Sequence, residues 1–109
     1  MSDDLGTLGR YAGPATLILS SLAGGSKHGY ALMQDIEEFA GVTLRPGTLY
    51  GALSRLETME LIESLEGDGR RRPYRLTPIG ATALQTQLAA QRKVADVGLH
   101  RLDTLGLAL

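Results

Sequence analysis

Apolar residues recur at helical spacing in three successive stretches of the first half of the chain. The first stretch covers residues 14–23 and ends at a pair of glycines, the second covers residues 26–41, and the third begins at Pro46. Repeats of three and four residues place apolar side chains on one face of a helix. The sequence therefore predicts three helices, whose buried faces comprise Ala15, Ile18, Leu19 and Leu22; Leu32 or Met33, Ile36, Phe39 and Ala40; and Leu49, Leu53, Leu56 and Met59.

A short hairpin is predicted after the third helix. Residues 61–66 and 73–76 have the composition of strands, and the Gly67-Asp68-Gly69 run between them is a strong turn signal. Pro73 cannot donate a backbone hydrogen bond, which favours an edge position for the second strand. Three arginines follow the turn directly, so the predicted hairpin is basic.

The last predicted helix is longer than a small domain can cover. Thr77 and Pro78 are typical of a helix start, and the helical pattern continues to about Leu105. A helix of about 27 residues rises roughly 40 Å, at about 1.5 Å per residue. Its apolar seam alternates spacings of four and three, and we expect much of it to be buried only against another chain. The seam comprises Leu84, Leu88, Gln91, Ala95, Gly98, Leu102 and Leu105, of which Leu84, Leu88, Ala95, Leu102 and Leu105 are the predicted dimerisation residues.

The order of these elements predicts the fold class. Three helices, a hairpin and a long helix form a mainly α fold with a small β-hairpin, namely a winged helix-turn-helix followed by a long C-terminal dimerisation helix. In such a fold the third helix is the one that enters the DNA groove. We expect residues 1–12 to be a flexible N-terminal arm, residues 13–77 the winged helix DNA-binding domain, and residues 78–109 the dimerisation helix.

The net charge of −1 is low for a DNA-binding protein, but the charges are unevenly distributed. Seven of the eleven basic residues fall between positions 27 and 75, and four of them lie within positions 70–75. A chain that is almost neutral overall can still present a basic face. Two hypotheses therefore stay open: a regulator that binds double-stranded DNA, and a winged-helix protein-interaction module without DNA binding.

The residue types that are missing exclude several other functions. The chain has no cysteine, which rules out disulfides, thiolate metal sites and a cysteine nucleophile. Its two histidines, His28 and His100, are far apart, and the sequence contains no serine-hydrolase or zinc-protease motif. We therefore expect no enzyme activity, no metal and no cofactor. No apolar run is long enough to span a membrane, and a cytoplasmic location is expected.

Candidate DNA contacts lie on the second and third helices. Backbone N–H groups at a helix start attract phosphate, which singles out Lys27 and His28, although a structural role for His28 is equally open. The start of a recognition helix meets base edges, and Arg55 is expected to face DNA there, a two-bond contact to guanine being one such contact. Alternatively, Arg55 forms a surface ion pair with Glu38 or Glu57. The other candidates on the third helix are Thr48, Ser54 and Tyr50, the last of which has the alternative of packing its ring on the domain.

The hairpin supplies the remaining candidates, Arg70, Arg71 and Arg72. Their expected role is to bind phosphates or the minor groove beside the third helix. The alternative is that they form no more than a solvated hairpin tip. Adjacent cations repel one another, which favours the DNA-binding role.

Four motifs in this order resemble the PadR family of bacterial transcriptional regulators. They are His28-Gly29-Tyr30, the Pro46-Gly47-Thr48-Leu49-Tyr50 run, Leu53 to Glu57 with Leu61-Ile62-Glu63, and Arg70 to Thr77 with Gly80. The resemblance covers about residues 14–84, and the short C-terminus is similar to that of the smaller subclass. It implies a winged helix that dimerises through its C-terminal helix and represses transcription at inverted repeats.

Two residues depart from the family pattern. Arg45 stands where the family often has serine, which removes a side-chain N-cap but places a cation where DNA phosphate is expected to pass. Glu60 replaces a glycine that is common after the third helix. The resemblance also implies that some relatives bind small aromatic compounds near the dimer interface. The last helix of this chain has no aromatic residue, so any small-molecule effector is expected in an aliphatic pocket between residues 15–22 and 88–102.

Overall fold

The structure is a computed structural model that describes residues 12–67 and 72–106. Its elements are α1 (Ala12–Ala23), α2 (Gly29–Ala40), α3 (Pro46–Thr58), β1 (Ile62–Ser64), β2 (Tyr74–Leu76) and α4 (Pro78–Thr104). The fold is mainly helical with a two-stranded antiparallel hairpin and a long last helix, which confirms the predicted fold class. The expected N-terminal arm lies outside the described residues, apart from its last position.

Helix α1 lies at the centre of the molecule and packs against α2, α3, α4 and β2. The predicted buried faces of α1 and α3 are buried, except that Met59 follows α3 and is only partly buried. On α2, Leu32 and Ile36 are buried, whereas Phe39 is exposed because it lies at the end of the helix beyond the core. Burying these aliphatic side chains holds the three helices together, at about 25 cal/mol per Å² of apolar surface removed from water.

Helix α2 begins three residues later than the predicted start at residue 26. The reason is that Lys27 pairs with β2: its N–H donates to the Tyr74 carbonyl at 3.2 Å, and the Tyr74 N–H donates to the Lys27 carbonyl at 2.9 Å. The connector between α1 and α2 is therefore extended and lies beside the hairpin. At its other end α2 stops at Gly41, whose φ of 68° is the left-handed conformation typical of a residue that ends a helix.

The hairpin is shorter than predicted. Ile62, Glu63 and Ser64 pair with Leu76, Arg75 and Tyr74, and the Leu65 N–H adds one bond to the Pro73 carbonyl at 2.8 Å. Side chains alternate across a strand, so Ile62 enters the core while Glu63 faces solvent. Leu61 is excluded from the strand because its N–H bonds to the Leu56 carbonyl at 3.0 Å and so ends α3.

Helix α4 starts inside the domain and ends far outside it. The Thr77 hydroxyl caps its first turn by accepting from the Gly80 N–H at 3.0 Å. Ala83 and Leu84 are buried in the core, and most residues after position 84 are exposed. The molecule measures 55 × 30 × 23 Å, with α4 27 residues long.

Candidate DNA-binding surface

The exposed side of α3 carries a central strip of small residues. Positions 47, 51, 54 and 58 follow one another around the same face of the helix, opposite buried Leu49, Leu53 and Leu56. Nothing lies within 4 Å of the position that a side chain at Gly47 would take. Small side chains on this strip let the helix backbone approach another surface closely. The strip comprises Gly47, Gly51, Ser54 and Thr58.

Thr48 and Arg55 lie along one edge of this strip. Arg55 is exposed, and within the described ranges it forms neither of the ion pairs predicted as alternatives, with Glu38 or with Glu57. Glu57 lies on the opposite edge of the strip and accepts a hydrogen bond from another element. The Arg55 guanidinium therefore faces solvent with its donors available.

The start of α3 has no side-chain cap. Arg45 occupies the N-cap position with extended backbone, φ −77° and ψ 150°, and forms no capping hydrogen bond. The first backbone N–H groups of α3 thus lie beside an exposed arginine side chain. That combination of uncapped N–H groups and a cation suits an anion such as phosphate.

Tyr50 links the first turn of α3 to the first turn of α2. A side-chain carbon built on Gly29 would overlap the Tyr50 ring, with the ring carbon Cζ 2.9 Å away. Tyr50 therefore packs on α2, which agrees with the predicted alternative that its ring packs on the domain. It still exposes 44% of its surface. The motifs at 28–30 and 46–50 are thus in contact in the fold.

Lys27 and His28 are both engaged within the protein. The Lys27 ammonium donates to the Ser21 carbonyl at 2.6 Å and the Gly25 carbonyl at 3.2 Å, and lies 4.0 Å from the Asp35 carboxylate. The His28 ring accepts from the Ala31 N–H at 3.5 Å and caps α2. Carbonyls at a helix C-terminus favour a cation, so the geometry favours structural roles for both residues over the predicted phosphate contacts.

The wing, which we define as β1, β2 and the residues between them, lies on the Glu57 edge of α3. Ser64, the last residue of β1, donates from its hydroxyl to the Glu57 carboxylate at 2.8 Å. Arg72 is exposed and its Nη1 lies 3.5 Å from the Ser64 hydroxyl. Arg75 differs, because two of its guanidinium nitrogens bond to Glu63 at 2.8 and 3.1 Å. Arg70 and Arg71 lie outside the described residues.

Tyr74, the first residue of β2, lies on the side of the wing that is near α3. Burial raises the pKa of its hydroxyl, the nearby Glu57 and Tyr50 raise it further, and Arg72 lowers it. Two side chains of α3 and Arg72, which precedes β2, thus lie near this half-buried phenol. Sequence reasoning missed this group of contacts, because seven or more residues separate Ser64 from its partners and no local motif marks them.

The predicted dimerisation residues fall into two groups. Leu84 is only 5% exposed and belongs to the core of its own chain, so it offers little surface to a partner. Leu88, Ala95 and Leu105 are exposed, and Leu102 is partly exposed. The seam prediction missed further exposed apolar residues of α4, namely Val94 (72%), Val97 and Leu99 (55%).

An open apolar groove of about 450 Å³ lies at the root of this exposed face. Its walls come from the end of α1, from β2 and from the first half of α4. The expected wall of residues 15–22 does not line it, because the apolar side of α1 is buried in the core. The lining residues are Ala23, Leu76, Ala81, Leu84, Gln85, Leu88, Ala89 and Arg92.

Two further findings concern residues 12–67 and 72–106. None of their helices is long and apolar enough to cross a membrane. They contain no cluster of three or more histidine, aspartate or glutamate side chains that could hold a metal ion.

Comparison with known proteins places these features in a family. Residues 18–86 match the family model described as the transcriptional regulator PadR-like family. The chain is 41% identical over 81 residues to transcriptional regulator Rv3488 of Mycobacterium tuberculosis, covering 72% of this chain and 75% of that protein. It is 44% identical over 79 residues to an uncharacterised 37.1 kDa transposon protein of Streptomyces fradiae, covering 72% of this chain but only 23% of that much longer protein.

A solved structure agrees with the sequence comparisons. The crystal structure of a PadR family transcription regulator from Clostridium difficile superposes with a TM-score of 0.73 at 31% identity, covering 81% of this chain and 96% of that one. Residues 18–86, which the family model matches, include α2, α3, the wing and the start of α4. The chain therefore belongs to the PadR-like family, which consists of DNA-binding transcriptional regulators rather than enzymes.

Proposed function

We propose that this chain is a repressor that binds an inverted-repeat operator as a homodimer, with α3 in the major groove and the wing on the adjacent backbone. The observation that carries the proposal is Arg55, an exposed arginine without an ion pair among the described residues, beside the small-residue strip of α3. Repression at inverted repeats rests on the family resemblance. A cytoplasmic location is part of the same proposal.

Different side chains of α3 make different contacts with DNA. Arg55 binds a guanine through two hydrogen bonds, a contact worth about 1–3 kcal/mol of discrimination against other bases. Ser54 and Thr48 lie on and beside the strip and contact base edges or the sugar-phosphate backbone. Because the strip is small, the helix backbone lies deep enough in the groove for these short side chains to reach the bases.

Phosphate contacts come from the two sides of α3. Arg45 and the uncapped N–H groups bind phosphate at the start of the helix, and Tyr50 offers its hydroxyl nearby. Arg72 binds phosphate from the wing, with Arg70 and Arg71 expected to extend that contact. These charge interactions supply most of the affinity and make it depend steeply on salt.

The exposed face of α4 supports the homodimer. Val94, Leu99, Leu102 and Leu105 lie beyond the core, on a helix that leaves the domain. A two-fold pair of chains buries this face against the same face of the second copy, with the apolar groove at its root. On this proposal the α4 residues beyond Leu84 form the dimerisation part of residues 78–109.

The apolar groove is also the proposed site of a small-molecule effector, if one acts on this protein. Its residues are mostly aliphatic, and Gln85 and Arg92 are the polar groups at its edge. It adjoins both β2 and the proposed dimer interface. An aliphatic ligand with one acidic or polar group suits that lining.

Fluorescence anisotropy on DNA from upstream of the gene, titrated from about 50 to 200 mM salt, tests the DNA-binding proposal. We expect Arg55→Ala to abolish the preference for the operator over unrelated DNA. We expect Arg72→Ala to weaken both DNAs alike and to lower the slope of log K against log salt by about 0.9, one phosphate contact. Arg75→Ala is the matched control in the same hairpin, because Arg75 is already paired with Glu63, and it keeps the wild-type slope.

Two outcomes contradict the proposal. If Arg55→Ala keeps the operator preference, α3 does not read bases through this side chain. If the wild type binds no DNA at the lowest salt, the protein-interaction hypothesis replaces DNA binding.

A further inference from the structure

Glu57 is the only acidic residue of α3. It lies on the edge of the small-residue strip, on a helix that the proposed function places against phosphates. A carboxylate in that position repels phosphate and so lowers the affinity for DNA. Its presence there therefore calls for another role. Its position facing the wing indicates what that role is.

The Glu57 carboxylate is hydrogen-bonded to the wing. It accepts from the Ser64 hydroxyl at 2.8 Å, and the same hydroxyl oxygen lies 3.5 Å from Arg72 Nη1. A serine hydroxyl has one donor and two acceptor lone pairs, so it can serve both partners at once. Ser64 therefore connects the recognition helix to an arginine of the wing.

This contact lies at the end of the paired strands, where the loop of the wing begins. Ser64 is the last residue of β1 and stands opposite Tyr74, the first residue of β2. Beyond it a single described bond, from the Leu65 N–H to the Pro73 carbonyl, continues the pairing. A two-stranded hairpin is marginally stable by itself, so contacts at the loop end of its strands determine where its arginines lie.

We propose that Glu57 and Ser64 are positioning residues for DNA binding. Their hydrogen bond sets the distance between α3 and the wing, so that Arg72 reaches phosphate while α3 occupies the groove. This inference rests on the proposed function. Fixing the wing before binding reduces the ordering entropy that DNA would otherwise have to offset.

Four variants in the full chain test the proposal in the same salt titration: Ser64→Ala, Ser64→Thr, Arg72→Ala and the Ser64→Ala/Arg72→Ala pair. We expect Ser64→Ala to lower the salt slope by about 0.9, as if the phosphate contact of Arg72 were lost. Ser64→Thr keeps a hydroxyl and retains the wild-type slope. Arg72→Ala weakens binding about tenfold in the wild type and less than about twofold in the Ser64→Ala background.

One control variant and two substitutions of Glu57 separate this positioning role from a general effect on the stability of the fold. Thr82→Ala removes a hydroxyl that bonds within α4, to the Pro78 carbonyl, and leaves the slope unchanged. Glu57→Gln keeps a carbonyl oxygen that accepts from Ser64, so it retains the contribution of Arg72, whereas Glu57→Ala loses it. Melting temperatures of all variants, measured without DNA, identify any loss of fold.

Any of four results overturns the proposal. If Arg72→Ala costs the same in both backgrounds, Ser64 does not position the wing. If Glu57→Ala changes base preference while Ser64→Ala does not, Glu57 reads a cytosine instead. If the wild type binds no DNA, the proposed function fails and this inference fails with it, whereas wild-type binding with an unchanged Ser64→Ala slope removes this inference alone.

Discussion

At the scale of single residues, the end of α3 contains a strained position. Glu60 has a φ of 62°, the only positive φ of a non-glycine residue in the described ranges. Its N–H donates to the Glu57 carbonyl and the Leu61 N–H to the Leu56 carbonyl, each at 3.0 Å, which is the Schellman pattern that usually requires glycine. The fold therefore keeps the turn although the sequence departs from the family glycine there.

Replacing Glu60 by glycine is expected to stabilise the protein. The left-handed conformation costs a residue with a Cβ about 1–2 kcal/mol, and the greater freedom of glycine in the unfolded chain offsets part of the gain. We expect Glu60→Gly to raise the free energy of unfolding by about 0.5–1 kcal/mol, measured by urea denaturation. Glu60→Ala removes the same carboxylate but keeps a Cβ, so an equal gain in that control contradicts strain as the cause.

Tyr74 predicts a loss of stability at high pH. Because burial raises its pKa above the ordinary value near 10, the folded state holds the phenol proton more tightly than the unfolded state. The contribution of Tyr74 to stability is complete below the unfolded pKa and declines as pH rises through the folded one. Between about pH 9 and 11, we expect the free energy of unfolding to fall more steeply in the wild type than in Tyr74→Phe. Tyr30→Phe, which removes an exposed phenol, should keep the wild-type steepness; equal slopes in all three proteins contradict the prediction.

At the scale of elements, the junction between β1 and α4 requires a glycine for steric reasons. A side-chain carbon at position 80 would overlap the Leu61 carbonyl oxygen, and the Leu76 side chain would be 2.9 Å away. The N-terminal turn of α4 thus lies against the backbone that follows α3. This contact fixes the direction in which α4 leaves the domain.

Gly80→Ala is expected to destabilise the protein and to disturb the path of α4. Overpacking against backbone costs about 1–3 kcal/mol, since a carbonyl cannot rotate away as a side chain can. A melting temperature lowered by several degrees, together with weaker dimerisation, is the expected result. Gly13→Ala in α1, where nothing lies within 4 Å, is the control and does not lower the melting temperature. If both variants melt like the wild type, the close approach at position 80 does not affect the stability of the protein.

At the scale of the whole molecule, much apolar surface of α4 is left uncovered by the residues that the structure describes. The exposed apolar side chains of its second half lie on a helix that the domain does not reach. We expect Leu99→Asp to convert the proposed homodimer to a monomer in sedimentation experiments, because a carboxylate buried in an apolar interface is costly. Lys93→Asp, on the polar side of α4, leaves the dimer intact. A wild type that sediments as a monomer at all concentrations contradicts the homodimer proposal.

The sequence predicted the elements better than the contacts between them. Helical spacing located α1, α3 and α4, since each has a regular apolar face that local periodicity reveals. The start of α2 was misplaced because a backbone bridge between Lys27 and Tyr74 holds that segment extended, and a pairing over 47 positions leaves no local pattern. For the same reason the sequence could not separate Leu84, which is buried in the core, from the exposed part of the seam.

The candidate site was predictable to a similar degree. The residue types on α3 followed from motif and spacing, whereas the engagement of Lys27 by Ser21 and Gly25 depends on how one turn folds back on α1. Glu57 could be weighed only as a partner for Arg55, because the sequence does not reveal that Ser64 of β1 faces it.

Because α4 is one continuous helix, a small rotation at its start moves its far end by a larger distance. Its first turns are fixed in the winged helix domain at Gly80 and Leu84, while its far end at Thr104 lies roughly 30 Å beyond Leu84, at about 1.5 Å per residue. A pivot of about five degrees at the root moves the far end by roughly 3 Å over that length. In the proposed dimer the separation of the two α3 helices is thus adjusted by residues that never touch DNA. Operator spacing and base preference can accordingly evolve, or be engineered, in separate parts of this short chain.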